Sequence, residues 1–455
     1  MPTRPIASVP SLHASPCGPA LSASRSPPPS TQKAFALPET TSPRRHRKIP
    51  GTREGLMRRI LLSLLVVTAF APVAHAQNKK PVLPADMRTF QTPYYIMHTD
   101  LDDEGAREAY IRMTKMFEEY KRRTAGFSGD IREKFPFYLF KDSKDYYAAG
   151  APGGSAGVFM RDMSGARLMA IAGEKTTRTT WHVVQHEGFH QFAAAVIRGD
   201  LPPWVNEGLA EYFGESVFTG DGFVTGVAPP NRVRRIQAQI KDDKFKSFRD
   251  MLVLTQKEWN DGLAMSNYDQ AWAMTHFLAH GENNRYQKHF VTFMNQLGKG
   301  RPYTEAFVEV FGRDVDAFEK RFKDWWLAQP LNLTQHLADR AVVQTLTSYL
   351  ARGQASGQTF ADAAAFFSAA EAGEIKVSKD DWLPPSLLAQ ALKESAKYRS
   401  EFELSVQKGR LPQLVRTEAD GTKYRGVFEL NGARVRSVTC EIVEPVAPTT
   451  TQKAK

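Results

Sequence analysis

Trp181-His182-Val183-Val184-Gln185-His186-Glu187-Gly188-Phe189-His190-Gln191-Phe192 is followed by Pro203-Trp204-Val205-Asn206-Glu207-Gly208-Leu209-Ala210-Glu211-Tyr212-Phe213. On a helix, residues four apart share one face, so His186 and His190 aim two imidazoles at one point with Glu187 beside them. Two imidazoles make half of a zinc site, and a catalytic zinc needs a third protein donor. Glu207 is the candidate. The interval from His190 is long enough to finish one helix, turn at Gly199-Asp200-Leu201-Pro202-Pro203 and bring a second helix back. Pro203 suits the first turn of that helix, where its missing N–H costs nothing. Glu211, four residues beyond Glu207, lies on the same face, where it can accept the free ring N–H of a ligand histidine and fix its tautomer. Gly188 costs on the order of 1 kcal/mol inside a helix relative to alanine, and broken local rules tend to sit at functional sites. An amphipathic helix carrying two partly exposed histidines would show the same pattern without a metal.

Upstream, Thr89 to His98 reads as a strand, Asp102 to Arg123 as an amphipathic helix, and Phe135 to Phe140 as a strand that Pro136 pushes toward a sheet edge or a strand start. A short helix at Tyr146-Tyr147 ends in the loop Gly150 to Gly154, and Gly157–Met160 and Arg167–Ala172 form two short strands. This order predicts a small mixed sheet whose last strand borders the metal, with Arg167 to Ala172 as the candidate edge for an extended peptide. An ordinary hairpin packed on the helix is the plainer alternative. Glycine-rich Gly214 to Pro230 reads as a hairpin or loop near the cleft, and helical patterns run to about residue 328. Beyond Leu331, helices are expected near 333–352, 358–372 and 384–397, then strands at 402–407, 412–418, 424–430 and 434–443, with a hairpin turn at Asn431-Gly432. The fold class is therefore α+β: a small mixed β-sheet, a mainly helical catalytic region across 77–330, and an α+β accessory domain across 331–445.

The chain has 455 residues and a net charge of +11, most of it near the start. Residues 1–56 carry eight Lys/Arg against two Asp/Glu, and Arg58 and Arg59 follow, so the remainder holds only +3. That distribution gives no basic footprint for DNA or RNA. Residues 1–56 also hold 11 of the 28 prolines, which predicts a disordered leader or an over-extended reading frame starting before Met57. Met57-Arg58-Arg59, the apolar run Ile60 to Val73 and Ala74-His75-Ala76 have the form of a secretory signal peptide over 57–76, too short for a comfortable membrane span. The alternatives are a genuine leader or an internal signal-anchor. Export to periplasm or medium is expected, with no integral membrane segment after cleavage. Only Cys440 would remain, a lone buried thiol with no disulfide. Residues 446–455 read as a disordered tail.

The segment His186-Glu187-Gly188-Phe189-His190 followed by Trp204-Val205-Asn206-Glu207-Gly208-Leu209-Ala210-Glu211-Tyr212 resembles the gluzincin metallopeptidases, and within them the peptidase-MA-like bacterial domains. The likeness spans roughly residues 85–330 and is dense around 181–213 and 266–278. It implies a Zn2+ cofactor held by His186, His190 and Glu207, with Glu187 as general base and Glu211 orienting a ligand histidine. Tyr268, in Ser266 to Leu278, matches the tyrosine that faces the reacting carbonyl in that family; a core or rim tyrosine is its plain alternative. The G-x-M-E-N element of the aminopeptidases is missing, which favours endopeptidase action on a peptide or protein substrate. His276 and His280 repeat the four-residue spacing without an acid between them and read as helix histidines. Two other functions stay open: an inactive zinc-fold scaffold of the cell envelope, and hydrolysis of a non-peptide amide.

Overall fold

Short β-branched and aromatic runs broken by Pro and Gly, then long stretches with helical periodicity, build the α+β fold seen in the computed structural model. It describes residues 83–445 except 163–164 and 262–264. The expected leader, signal peptide and tail lie outside the described residues. Strands β1 (Arg88–Gln91) and β2 (Tyr95–Thr99), helix α1 (Asp103–Thr124), strand β3 (Phe135–Phe140), helix α2 (Ser143–Ala148), and strands β4 (Gly157–Asp162) and β5 (Gly165–Ile171) come first. They make a five-stranded mixed sheet of order β1-β2-β3-β5-β4. The stretch expected as one strand over Thr89–His98 is a hairpin instead. Thr92 Oγ1 accepts the Tyr95 N–H at 2.7 Å and turns the chain, so that Arg88 pairs with Thr99. Pro136 is the second residue of β3, a central strand, where a lost donor is tolerated at the start.

The expected peptide-binding edge requires a correction. Arg167–Ala172 is not at the border: β5 lies between β3, to which it runs parallel, and β4, to which it runs antiparallel. The chain reverses between Asp162 and Gly165 and lays β4 outermost. Spacing showed two strands, but which of them joins β3 is a long-range choice that periodicity does not carry.

Helices α3 (Arg178–Val196) and α4 (Pro203–Gly214) follow, then the two-residue strands β6 (Val217–Phe218) and β7 (Phe223–Val224) and helix α5 (Pro230–Lys241). Helices α6 (Phe248–Val253), α7 (Gln256–Asp261), α8 (Met265–Asn284), α9 (Gln287–Leu297), α10 (Tyr303–Phe311) and α11 (Val315–Ala328) complete the helical region. One apolar core joins the sheet, α1, α3, α4 and the helices through Trp326. Helices α12 (Gln335–Ala355), α13 (Ala363–Glu371) and α14 (Pro385–Ser395) and an antiparallel sheet of β8 (Phe402–Ser405), β9 (Gln413–Thr417), β10 (Lys423–Asn431) and β11 (Arg434–Val443) enclose a second core. Cys440 is buried in it. Among the described residues no helix is long and apolar enough to cross a membrane.

Candidate metal centre

Helix α3 begins at Thr177, whose hydroxyl accepts the Thr180 N–H while the Thr180 hydroxyl accepts the Thr177 N–H, a reciprocal cap that fixes its start. It is almost wholly buried between the sheet and α4, which explains its lack of a polar face. Gly188 now has a physical reason. A Cβ there would lie 3.1 Å from both Met113 Cε and the Tyr120 hydroxyl, which donates to the Gln185 carbonyl, so glycine lets α1 close on α3. Helix α4 starts at Pro203 and is tied back to α3 by Gln185, whose Nε2 donates to the carbonyls of Phe213, Gly214 and Ser216.

Three side chains converge between these helices. His186 Nε2 lies 3.1 Å from His190 Nε2, and Glu207 Oε2 lies 3.3 Å from the first and 3.4 Å from the second. Each residue is at most 2% exposed. A tetrahedral ion with bonds of about 2.0–2.1 Å separates its ligands by about 3.3 Å, so the triangle has the size a zinc requires. Its chemistry agrees. Three lone-pair atoms face one another out of water, an arrangement that repels itself unless a cation or a proton sits between them. Burial lowers the His186 pKa, but the Glu207 and Glu211 carboxylates outweigh it and leave it raised to about 10. Burial likewise raises Glu207, yet His190 and His186 outweigh it and bring it down to about 2.

The outer nitrogen of each ring lies against an oxygen. His190 Nδ1 donates to Asn206 Oδ1 at 3.1 Å, and His186 Nδ1 faces Glu211 Oε1 at 3.3 Å. With a cation in the triangle, both arrangements would keep the ring proton on Nδ1 and leave the Nε2 lone pair for the ion. Burial raises the pKa of Glu211, but Arg232, at 2.7 Å from Oε2, heads the charges that hold it well below its ordinary value. Arg232 also reaches Glu215 at 2.9 Å and Asp269 at 3.3 Å, and stacks on Trp272. A second possible grouping, His182, His186 and Glu211, shares His186 with the trio and draws its anionic donor from Glu211. Arg232 already serves that carboxylate as counter-ion, so the first trio is the better cation site.

Glu187 lies beside the trio on the side of β4. Its Oε2 accepts the Phe159 N–H at 2.9 Å, whereas Oε1 is buried and finds no partner among the described residues. Burial raises its pKa, against the lowering influence of His186 and His190. Gly157 makes this closeness possible, since a Cβ there would fall 2.3 Å from Val183 and 3.2 Å from Glu187. Tyr268 stands in the first turn of α8, buried and edge-on to Trp259 at 5.2 Å. It is three residues before Ala271, whose carbonyl abuts Gly208 of α4, and so shares the α4-facing side of α8. His276 Nε2 donates to the Gly226 carbonyl (3.1 Å) and His280 Nε2 meets the Tyr212 hydroxyl (3.0 Å); both belong to aromatic packing rather than to the trio.

Sequence reasoning missed Asn206, Arg232 and the Phe159 N–H. Asn206 had a signal, being next to Glu207 on a helix already turned toward the histidines. Arg232 had none, since it arrives from another helix after a hairpin.

A family model described as Protein of unknown function (DUF1570) matches residues 181–304, from the start of the Trp181–Phe192 segment through α9. A comparison with curated proteins finds no match. The matched region carries the trio, Glu187, Glu211, Arg232 and Tyr268.

Proposed function

We infer that the protein is a zinc-dependent hydrolase of peptide bonds, of the gluzincin kind, acting on a peptide or protein outside the cytoplasm. The observation that carries this reading is the buried triangle of His186, His190 and Glu207, with edges of 3.1 to 3.4 Å, beside a glutamate that keeps one carboxylate oxygen free. Zinc, when bound there, supplies a Lewis acid that acidifies water and polarises a carbonyl. His186, His190 and Glu207 would hold it, and one anionic ligand leaves the ion strongly electrophilic. Glu187 takes a proton on Oε1 and returns it to the leaving amine; its raised pKa suits both transfers. The Phe159 N–H keeps the other oxygen fixed during the exchange. Tyr268 is the proposed donor to the oxyanion, a role commonly counted at a few kcal/mol of barrier.

Strand β4 is the sheet edge next to Glu187, and among the described residues no strand pairs with its outer side. An extended peptide can add to it through backbone hydrogen bonds. The β4 sequence Gly157–Asp162 lacks the G-x-M-E-N element whose acid holds a free amine in aminopeptidases, which favours internal cleavage. Export rests on the signal-like segment 57–76.

The test is zinc content and peptide-library cleavage by the parent and by Glu187→Gln. Both should bind one zinc, and only the parent should cleave. Cleavage by Glu187→Gln at the parent rate rejects the base, and absence of zinc in both rejects the centre. Zinc in both with no cleavage by the parent favours the scaffold reading.

A further inference from the structure

A cavity of about 380 Å3 lies at the N-terminal end of α3. One wall is Trp181, His182 and Gln185 of α3 with Arg112 of α1, and a second is the β6 hairpin with Phe218. The opposite wall comes from α12 and α14, including Ala338, Val342, Leu387 and Ala391. Its volume falls in the range of small-molecule sites, about 300–1,000 Å3. The two sides differ in chemistry.

On the α1–α3 side the Arg112 guanidinium is clamped between two aromatic faces, 4.8 Å from the Trp181 ring and 4.6 Å from Phe218. Its Nε donates to Glu108 Oε1 at 2.6 Å, and Glu108 Oε2 accepts the Thr176 hydroxyl at 3.1 Å, so the whole unit is fixed. Among the described residues the two terminal nitrogens of Arg112 have no hydrogen-bond partner. Planar paired donors of this kind match a carboxylate bidentately. The first turn of α3, which carries no acidic residue, is part of the same wall and adds the positive end of a helix. The α12–α14 side carries small and branched apolar side chains, Ala338, Val342, Leu387 and Ala391, alongside polar ones such as Gln335, Gln390 and Glu394.

We propose that this cavity binds a small amphiphilic carboxylate, with the charged end on Arg112 and the apolar body along Ala338, Val342, Leu387 and Ala391. A fatty acid and an apolar peptide ending in a free carboxylate share this chemistry. Neither the metal trio nor Glu187 lines the cavity, so the site stands apart from the hydrolase reading.

Calorimetric titration of the full chain decides it, with decanoate, with N-acetyl-leucyl-leucine and with the amide of each. At least one acid should bind at one site and its amide at least tenfold more weakly; which acid binds identifies the source. Arg112→Met, which keeps the stem between the two rings, should erase the preference for acid over amide. Ala338→Phe, which fills the cavity from a half-buried position, should abolish binding while the circular dichroism spectrum is kept. Equal affinity for acid and amide, unchanged binding by Ala338→Phe, or no saturable binding up to millimolar acid overturns the proposal. So does binding that disappears with a chelator, because that carboxylate sits on the metal trio instead.

Discussion

Arg232 Nη1 lies 2.7 Å from Glu211 Oε2, and Glu211 Oε1 in turn faces His186 Nδ1 at 3.3 Å. Arg232 and Glu211 are both about 95% buried, so each charge depends on the other. Arg232→Met should leave Glu211 as an uncompensated buried carboxylate and loosen the His186 ring. Zinc affinity by chelator competition is expected to fall on the order of 10-fold or more. Unfolding free energy should drop by about 3–5 kcal/mol. Glu211→Gln should weaken zinc similarly, and the double variant should lose less than the sum of the two. Additive losses would show that Arg232 acts on something other than Glu211.

Gly208 is the point where α4 touches α8. A Cβ there would stand 2.3 Å from Thr275 Oγ1 and 2.4 Å from the Ala271 carbonyl oxygen, and a backbone oxygen cannot step aside as a side-chain tip can. Gly208→Ala is expected to force the helices apart and cost about 1–3 kcal/mol, seen as a lower Tm. Glu207 precedes it, so zinc affinity should fall as well. Gly222→Ala, which meets nothing within 4 Å, serves as the control.

Acid should destabilise the fold through α8. Burial, followed by the neighbouring His280, holds His276 down to about 3, and burial holds His280 at about 4. In the unfolded chain both return to near 6.5. Below that pH the unfolded state binds more protons than the folded one, so stability is complete above about 6.5 and is lost as pH falls toward 4 and then 3. At pH 5 the loss is on the order of 2 kcal/mol for each histidine. Urea midpoints at pH 7 and pH 5 measure it, and His280→Phe should flatten the dependence by about half. An unchanged pH slope in that variant would assign the acid sensitivity to other groups.

What the sequence could express was local. The i,i+4 histidines and the short Pro-initiated return make α3 and α4 neighbours, so the approach of Glu207 to His186 and His190 follows from spacing alone. The α+β class was legible for the same reason, from alternation in the strands and 3.6-residue periodicity in the helices. Position in the sheet was not. Arg167–Ala172 and Gly157–Met160 alternate alike, and only tertiary pairing with Phe137–Phe140 puts the first inside and the second at the edge. Thr89–His98 concealed a turn because Thr92 acts through its hydroxyl, without a glycine to announce it. Arg232 and Arg112 were silent because Glu211 and Asp269 in the one case, and the Trp181 and Phe218 rings in the other, come from distant parts of the chain, and an arginine on an amphipathic helix ordinarily faces water.

The β6–β7 hairpin is gripped from the C-terminal side, which ties α12 to α3 and α4, the helices of the His186, His190 and Glu207 trio. Arg352 reaches Asp221 at 2.9 Å and Asp381 at 2.8 Å, Ser348 donates to the Thr219 carbonyl at 2.9 Å, and Gln344 to the Thr219 hydroxyl at 3.0 Å. Arg352 is 4% exposed, whereas its two carboxylates keep partial access to water, at 13% and 15%. Removing the arginine therefore strands two carboxylates that can only partly rehydrate, and Arg352→Leu should cost about 3 kcal/mol. Because Ser216 and Gly214, just before the hairpin, are the acceptors of Gln185, loosening Asp221 should also slacken the end of α4. Limited proteolysis is expected to cut within 217–224 faster in Arg352→Leu than in the parent, with zinc affinity reduced by a smaller factor than in Arg232→Met. Faster cutting elsewhere with the hairpin still protected would mean that the grip is local to α12 and does not reach α3 and α4.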